Sequence, residues 1–100
     1  MTAYLIANIS VRDPGCFAAY VAGAPAIVER FGGRYLVRAG HSVVLEGDPA
    51  INRTVIIEFP TLQHAQDFYA DPDYQHLVRI RQAGADTHMF CIEGYPGHAA

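Results

Sequence analysis

Hydrophobic and polar positions along the chain fall into short stretches of period two separated by two longer stretches of helical period. Tyr4 to Val11 is rich in β-branched and aromatic residues and predicts a first strand. Asp13-Pro14 ends it and opens a helix, because aspartate caps the free N–H groups of a first turn and proline suits the first helical position. Phe17, Tyr20, Val21, Ala24, Ile27, Val28 and Phe31 then recur at helical spacing and make one apolar face. Pro25 falls inside this helix, where it should kink the axis or tighten a turn. Gly32-Gly33 closes it.

Arg34 to Arg38 predicts the second strand, followed by a bend at Ala39-Gly40-His41. Ser42 to Glu46 resumes an extended pattern before the turn at Gly47-Asp48-Pro49. Arg53 to Phe59 is the third strand. Pro60-Thr61 opens a second helical region in two pieces, Leu62 to Ala70 and about Asp73 to Ala83, divided by Asp71-Pro72 and ended by Gly84. Thr87 to Glu93 is the fourth strand. A single domain is therefore expected over residues 1–95, with 96–100 as a flexible tail.

This β-α-β-β-α-β order is the split βαβ, ferredoxin-like α+β arrangement. Right-handed crossovers place both helical regions on one face of a four-stranded antiparallel sheet, with the first strand between the fourth and the third and the second strand outside the third. Strand parity puts Leu5, Ala7, Ile9, Val55, Ile57 and Phe59 on one face and leaves Tyr4, Ile6 and Ile56 on the other, with Phe90 and Ile92 opposed to Met89 and Cys91. Two helices cover only one face, and a large apolar patch on the other implies a partner. A homodimer joined sheet to sheet is the economical solution, since closed twofold pairs are the commonest oligomers.

Composition agrees. One hundred residues, 51% of them hydrophobic and 17% charged, suffice for one core without disulfides and exclude a disordered chain. A net charge of −3 with no basic tract argues against nucleic acid as partner. No apolar run reaches membrane-spanning length, and the Met1-Thr2-Ala3-Tyr4 opening has no signal-peptide pattern. Cys16 and Cys91 have no metal-motif spacing, so the expectation is a cytoplasmic protein with free thiols.

Several segments together resemble one family of small bacterial proteins: Tyr4 to Ile9, Asp13-Pro14, Phe31 to Arg38, Ile56 to Pro60, and Phe68 to Gln75. They are similar to the DUF1330 family, within the dimeric α+β barrel group. The resemblance implies two ferredoxin-like sheets facing each other around a shared interior. That group includes cofactor-free monooxygenases, small isomerases, haem-degrading and haem-binding enzymes and stress-related proteins. No catalytic residue comes with the resemblance.

Polar residues inside apolar strands supply the candidate chemistry. Asn8 and Glu58 share the face away from the helices on strands expected to be neighbours, and Arg38 on the adjoining strand completes a set, with His41 at the bend. A Glu58–Arg38 pair reads either as a salt bridge fixing dimer register or as a catalytic group, since a carboxylate in an apolar site gains general acid–base use. Tyr69 and Tyr74 flank the Asp71-Pro72 break, where a pocket with phenolic proton donors is expected, or simple core packing. Arg81 can hold a substrate carboxylate or stand solvated on its helix, and His88 shares the parity of Phe90. Cys16 lies in a first helical turn, which lowers thiol pKa, or it is packed as a small apolar residue. No metal site, phosphate loop or cofactor is expected. Function divides between a small cofactor-independent enzyme moving protons on a hydrophobic, oxygenated metabolite and a non-catalytic ligand-binding or stress-response module.

Overall fold

A computed structural model describes residues 1–47 and 53–96. The elements run β1 (Ala3–Val11), α1 (Pro14–Arg30), β2 (Arg34–Arg38), β3 (Arg53–Phe59), α2 (Leu62–Ala70), α3 (Pro72–Gly84) and β4 (Ala85–Glu93). The sheet order is β2-β3-β1-β4, antiparallel throughout, as the crossover argument requires. Ser42 to Glu46, where an extended pattern was expected, join no strand of the sheet and are exposed, Leu45 at 94%. The turn residues Asp48 and Pro49, and most of the expected tail (97–100), lie outside the described residues.

Capping explains the helix limits. The Asp13 carboxylate accepts from Gly15 and Cys16 N–H at 3.0 and 3.4 Å, and Pro14 occupies the first helical position. At the other end Gly32 adopts φ +76, so its N–H and that of Gly33 fold back onto the Glu29 and Val28 carbonyls. Thr61 caps α2 through His64 N–H at 3.1 Å, and Asp71 caps α3 through Asp73 and Tyr74 N–H at 3.0 and 3.1 Å. Pro25 does not end α1, which continues through it. Its cost is local: proline has no N–H for the carbonyl four residues back, Val21, and the Arg38 guanidinium donates to that oxygen at 3.2 Å.

Leu5, Ala7, Ile9, Ile57 and Phe59 of the sheet pack with Phe17, Ala24, Ile27 and Val28 of α1, Phe68 of α2, and Tyr74 and Val78 of α3. Each large side chain so buried contributes about 1.5–3 kcal/mol relative to exposure. Gly84 ties the two halves together. Its carbonyl accepts from Arg12 and Asp13 N–H at 2.7 and 2.9 Å, and a Cβ there would lie 2.8 Å from Cys16 Cβ and 3.0 Å from the Asp13 carbonyl oxygen. Gly84→Ala is accordingly expected to lose about 1–3 kcal/mol in a urea unfolding curve.

The face away from the helices carries registered rows. Val37, Ile56, Ile6 and Phe90 form an apolar row across all four strands. On one side of it lie Glu58, Tyr4 and Ile92, and on the other Thr54, Asn8 and His88. Phe90 and Ile92 are 55% and 52% exposed.

Candidate active site

The residues singled out on the strands do not converge. In the register Tyr4 faces Glu58 and Asn8 faces Thr54, so Asn8 and Glu58 stand four positions apart, about 13 Å along the sheet. Glu58 pairs with Arg34, not Arg38, at 2.9 Å. Arg38 lies on the opposite face, for a specific reason. The β2–β3 register shifts between Tyr35 and Val37, leaving Leu36 as an extra residue, so Arg38 aligns with Val55 under the helices. Simple alternation through β2 places Arg38 on the wrong side. His41 and His88 are exposed, and Tyr69 is 41% exposed with its ring edge-on to Tyr74 at 5.9 Å. At the Asp71-Pro72 break the rings of Phe68 and Tyr74 pack with centroids 4.1 Å apart, the arrangement of the core-packing alternative.

A small open cleft lies between α1 and the helix-facing side of β1, β2 and β3. Its floor is apolar, with Leu5, Ala7 and Ile57, and its polar lining is Tyr20, Tyr35, Tyr74, Arg38 and Arg53. Beneath it Arg81 is 3% exposed, neither a solvated helix residue nor one free at the surface. Its Nη1 donates to Tyr74 Oη at 3.1 Å and to Tyr20 Oη at 3.4 Å, and the two hydroxyls lie 2.7 Å apart. Burial works against the Arg81 charge most strongly, but the two tyrosine oxygens together outweigh it and raise its pKa, so it stays a cation.

Proton counting defines what this cluster offers. Both oxygens accept from Arg81, and the bond between the hydroxyls uses one of their two protons. The other remains for a ligand in the cleft. Such a hydroxyl, backed by a second hydroxyl and a cation, is a strengthened donor to a developing oxyanion. Among the described residues no carboxylate or histidine lines the cleft.

Burial first, then Tyr20, push the Tyr74 hydroxyl well above the ordinary tyrosine range. A group whose folded pKa is raised keeps its stabilising contribution below its unfolded value, near 10, and loses it as pH rises beyond that. Alkaline titration followed by tyrosine ultraviolet absorbance is therefore expected to show Tyr74 ionising only as the fold opens. Tyr74→Phe should shrink that late step and leave the part due to Tyr35, which burial also raises.

Cys16 and Cys91 are free. The thiol of Cys16 donates to Asp13 Oδ2 at 3.3 Å, and this bond, followed by the carboxylate charge, raises its pKa, opposite to the lowering expected from the helix terminus alone. Burial raises Cys91. No helix among the described residues is long and apolar enough to cross a membrane, and no group of three or more His, Cys, Asp or Glu among them could hold a metal ion.

Tyr20 and Arg53 were missed as site residues, although both carry a signal. Tyr20 shares the helical stripe of Phe17 and Ala24 and reads as core; Arg53 has the parity of Val55 and Ile57. Arg81 likewise follows Tyr74 and Val78 on one helix face, and that stripe marks it as buried.

The fold is a ferredoxin-like α+β sheet with helices on one face and a cleft between the layers. The chain belongs to the DUF1330 family, a domain of unknown function, matched over residues 2–95. Among solved structures it is similar to RPA0582, a protein of unknown function from Rhodopseudomonas palustris, at 21% identity and a TM-score of 0.77, covering 94% of this chain and 82% of that one. It is also similar to SnoaB, a cofactor-independent oxygenase from Streptomyces nogalater, at 14% identity and a TM-score of 0.65, over 94% and 93% of the two chains. A dimeric ferredoxin-like protein of unknown function from Jannaschia sp. CCS1 matches at 12% identity and a TM-score of 0.64, over 94% and 100%. No curated protein matches the sequence.

Proposed function

We propose that the protein is a small cofactor-independent enzyme that stabilises the oxyanion of an oxygenated, partly aromatic metabolite bound in the cleft under α1. The observation that carries this reading is the Tyr20–Tyr74–Arg81 cluster, buried at Tyr74 and Arg81 and half-buried at Tyr20, which has a hydroxyl proton to spare at the wall of a cleft with an apolar floor. An enol or phenol entering the site loses its O–H proton to water at the mouth, and the electron pair left on oxygen is met by the tyrosine O–H. Low dielectric strengthens that bond, and no reorganisation is needed at the moment of ionisation. Ionisation of this kind opens tautomerisation and isomerisation chemistry. The likeness to a cofactor-independent oxygenase supports the choice of class and nothing finer.

Self-association belongs to the same reading. The apolar row on the uncovered face and the dimeric state of a structural neighbour support a homodimer joined through that face. Asn8, Glu58 and His88 would then lie between the copies as polar contacts. Free thiols suit a reducing cytoplasm.

A second reading is favoured by one observation: the cleft has donors but no carboxylate or histidine base among its described lining residues. A module that binds an anion without converting it needs only donors. The discriminating experiment is a thermal-shift and turnover screen over small aromatic and keto acids, with Tyr20→Phe and Glu58→Gln alongside. Binding raises the melting temperature by mass action. Turnover lost in Tyr20→Phe and kept in Glu58→Gln supports the enzyme. Binding with no turnover supports the module, and no binding removes the cleft from consideration.

A further inference from the structure

Two arginines at the cleft have no role in the cluster just described. Arg38 is held by the Val21 carbonyl and lies over the Tyr35 ring, with 4.9 Å from guanidinium carbon to ring centroid. Arg53 lies over the Phe17 ring at 5.1 Å, and its Nε is buried without a hydrogen-bond partner. Arg38 aligns with Val55, two residues from Arg53, so the two are diagonal neighbours with Cα atoms about 7–8 Å apart on one sheet face. Stacking on a ring occupies the faces of a guanidinium and leaves its in-plane donors free for a bidentate acceptor.

Neither has a carboxylate partner among the described residues, where the ion pairs involve Arg12, Arg30 and Arg34. Two neighbouring cations with no counterion among the described residues, in a chain of net charge −3, make a local positive potential that attracts an anion. Local backbone geometry aims Arg38 there. It sits between the register shift at Leu36 and Ala39, a non-glycine residue at φ +59, and Pro25 frees the carbonyl that anchors it.

We infer that Arg38 and Arg53 form a seat for a ligand carboxylate at the cleft, so that the metabolite is an aromatic or keto acid with its apolar body on the Leu5–Ala7–Ile57 floor. This rests on the cleft being the ligand site. It adds a second anionic group, distinct from the oxygen met by the Tyr20–Tyr74 pair.

The test uses a matched pair, phenylacetate and 2-phenylethanol, titrated into the full chain by calorimetry and by NMR. The expected result is that phenylacetate binds about tenfold or more tightly than the alcohol, as charge-assisted bonds require. Arg53→Gln and Arg38→Gln should each erase most of that preference without weakening the alcohol. Arg53→Lys should restore only part of it, since an ammonium cannot present a planar fork. Equal affinity for the two probes, with cleft resonances moving in both titrations, would overturn the carboxylate seat and leave the cleft standing. Phenylacetate preference unchanged in both glutamine variants would do the same. Failure of both probes to move cleft resonances would overturn the seat and the cleft together.

Discussion

Phe90→Arg and Ile6→Arg are each expected to convert a particle of about twice the 10.9 kDa chain mass into one of single-chain mass in light scattering at micromolar concentration. Both residues belong to the row Val37–Ile56–Ile6–Phe90, the continuous apolar line on the face the helices leave open. Burying one such side chain is worth about 1.5–3 kcal/mol. A twofold interface contains each position twice, so one substitution removes about 3–6 kcal/mol and also places two charges between apolar surfaces. At tenfold per 1.4 kcal/mol, association weakens roughly 100- to 10,000-fold from lost burial alone. Gln66→Arg, at an exposed position of α2, is the control and should leave the mass unchanged. A wild-type chain that is monomeric at these concentrations would remove the shared-face argument.

Arg81→Met is expected to separate stability from function. Arg81 makes two charge-assisted hydrogen bonds, each worth about 1.5–3 kcal/mol, yet it holds a cation at 3% exposure with no carboxylate partner among the described residues. Desolvating a guanidinium costs several kcal/mol, so the opposing effects nearly cancel. Methionine fills comparable apolar space and leaves Tyr20 and Tyr74 bonded to each other. The melting temperature should therefore stay close to wild type or rise, while the stabilisation conferred by a bound acid falls on the order of 100-fold in affinity or rate, the usual effect of removing an oxyanion donor system. A buried charge retained at no benefit to folding is what a functional site looks like energetically. Arg81→Met that unfolds the chain would mean the arginine is a structural strut.

Local signals sufficed wherever the chain obeys simple periodicity. Asp13-Pro14, Gly32-Gly33 and Asp71-Pro72 set helix limits through capping chemistry that needs no tertiary context, and the parity of Leu5, Ala7 and Ile9 fixed which face of β1 is buried. The site was less legible because it depends on departures from those periods. One extra residue at Leu36 reverses the side on which Arg38 emerges, and nothing in the residues 34–38 announces it. Arg81 and Tyr20 occupy apolar helix stripes, which mark both as packed inward, but neither stripe says that the two side chains meet. Tyr74 was legible as a buried phenol, but its partners come from two other turns of helix: Tyr20, 54 residues away, and Arg81, seven away. Ser42 to Glu46 looked extended by composition alone, and no strand partners it in the sheet.

Ionisation of a bound phenol tests the oxyanion-stabilising cleft most directly, because it needs no knowledge of the natural metabolite. With 4-nitrophenol as probe, the coloured phenolate is followed across pH in the presence of excess protein. A cleft in which the spare hydroxyl proton of the Tyr20–Tyr74 pair, backed by Arg81, meets an oxyanion should lower the pKa of the bound phenol by about one unit or more, since each unit is about 1.4 kcal/mol. Tyr20→Phe and Arg81→Met should return it towards the value in water. A bound phenol whose pKa is unchanged or raised in the wild-type protein would contradict the account, for it would mean that the cleft is an ordinary apolar pocket that disfavours charge.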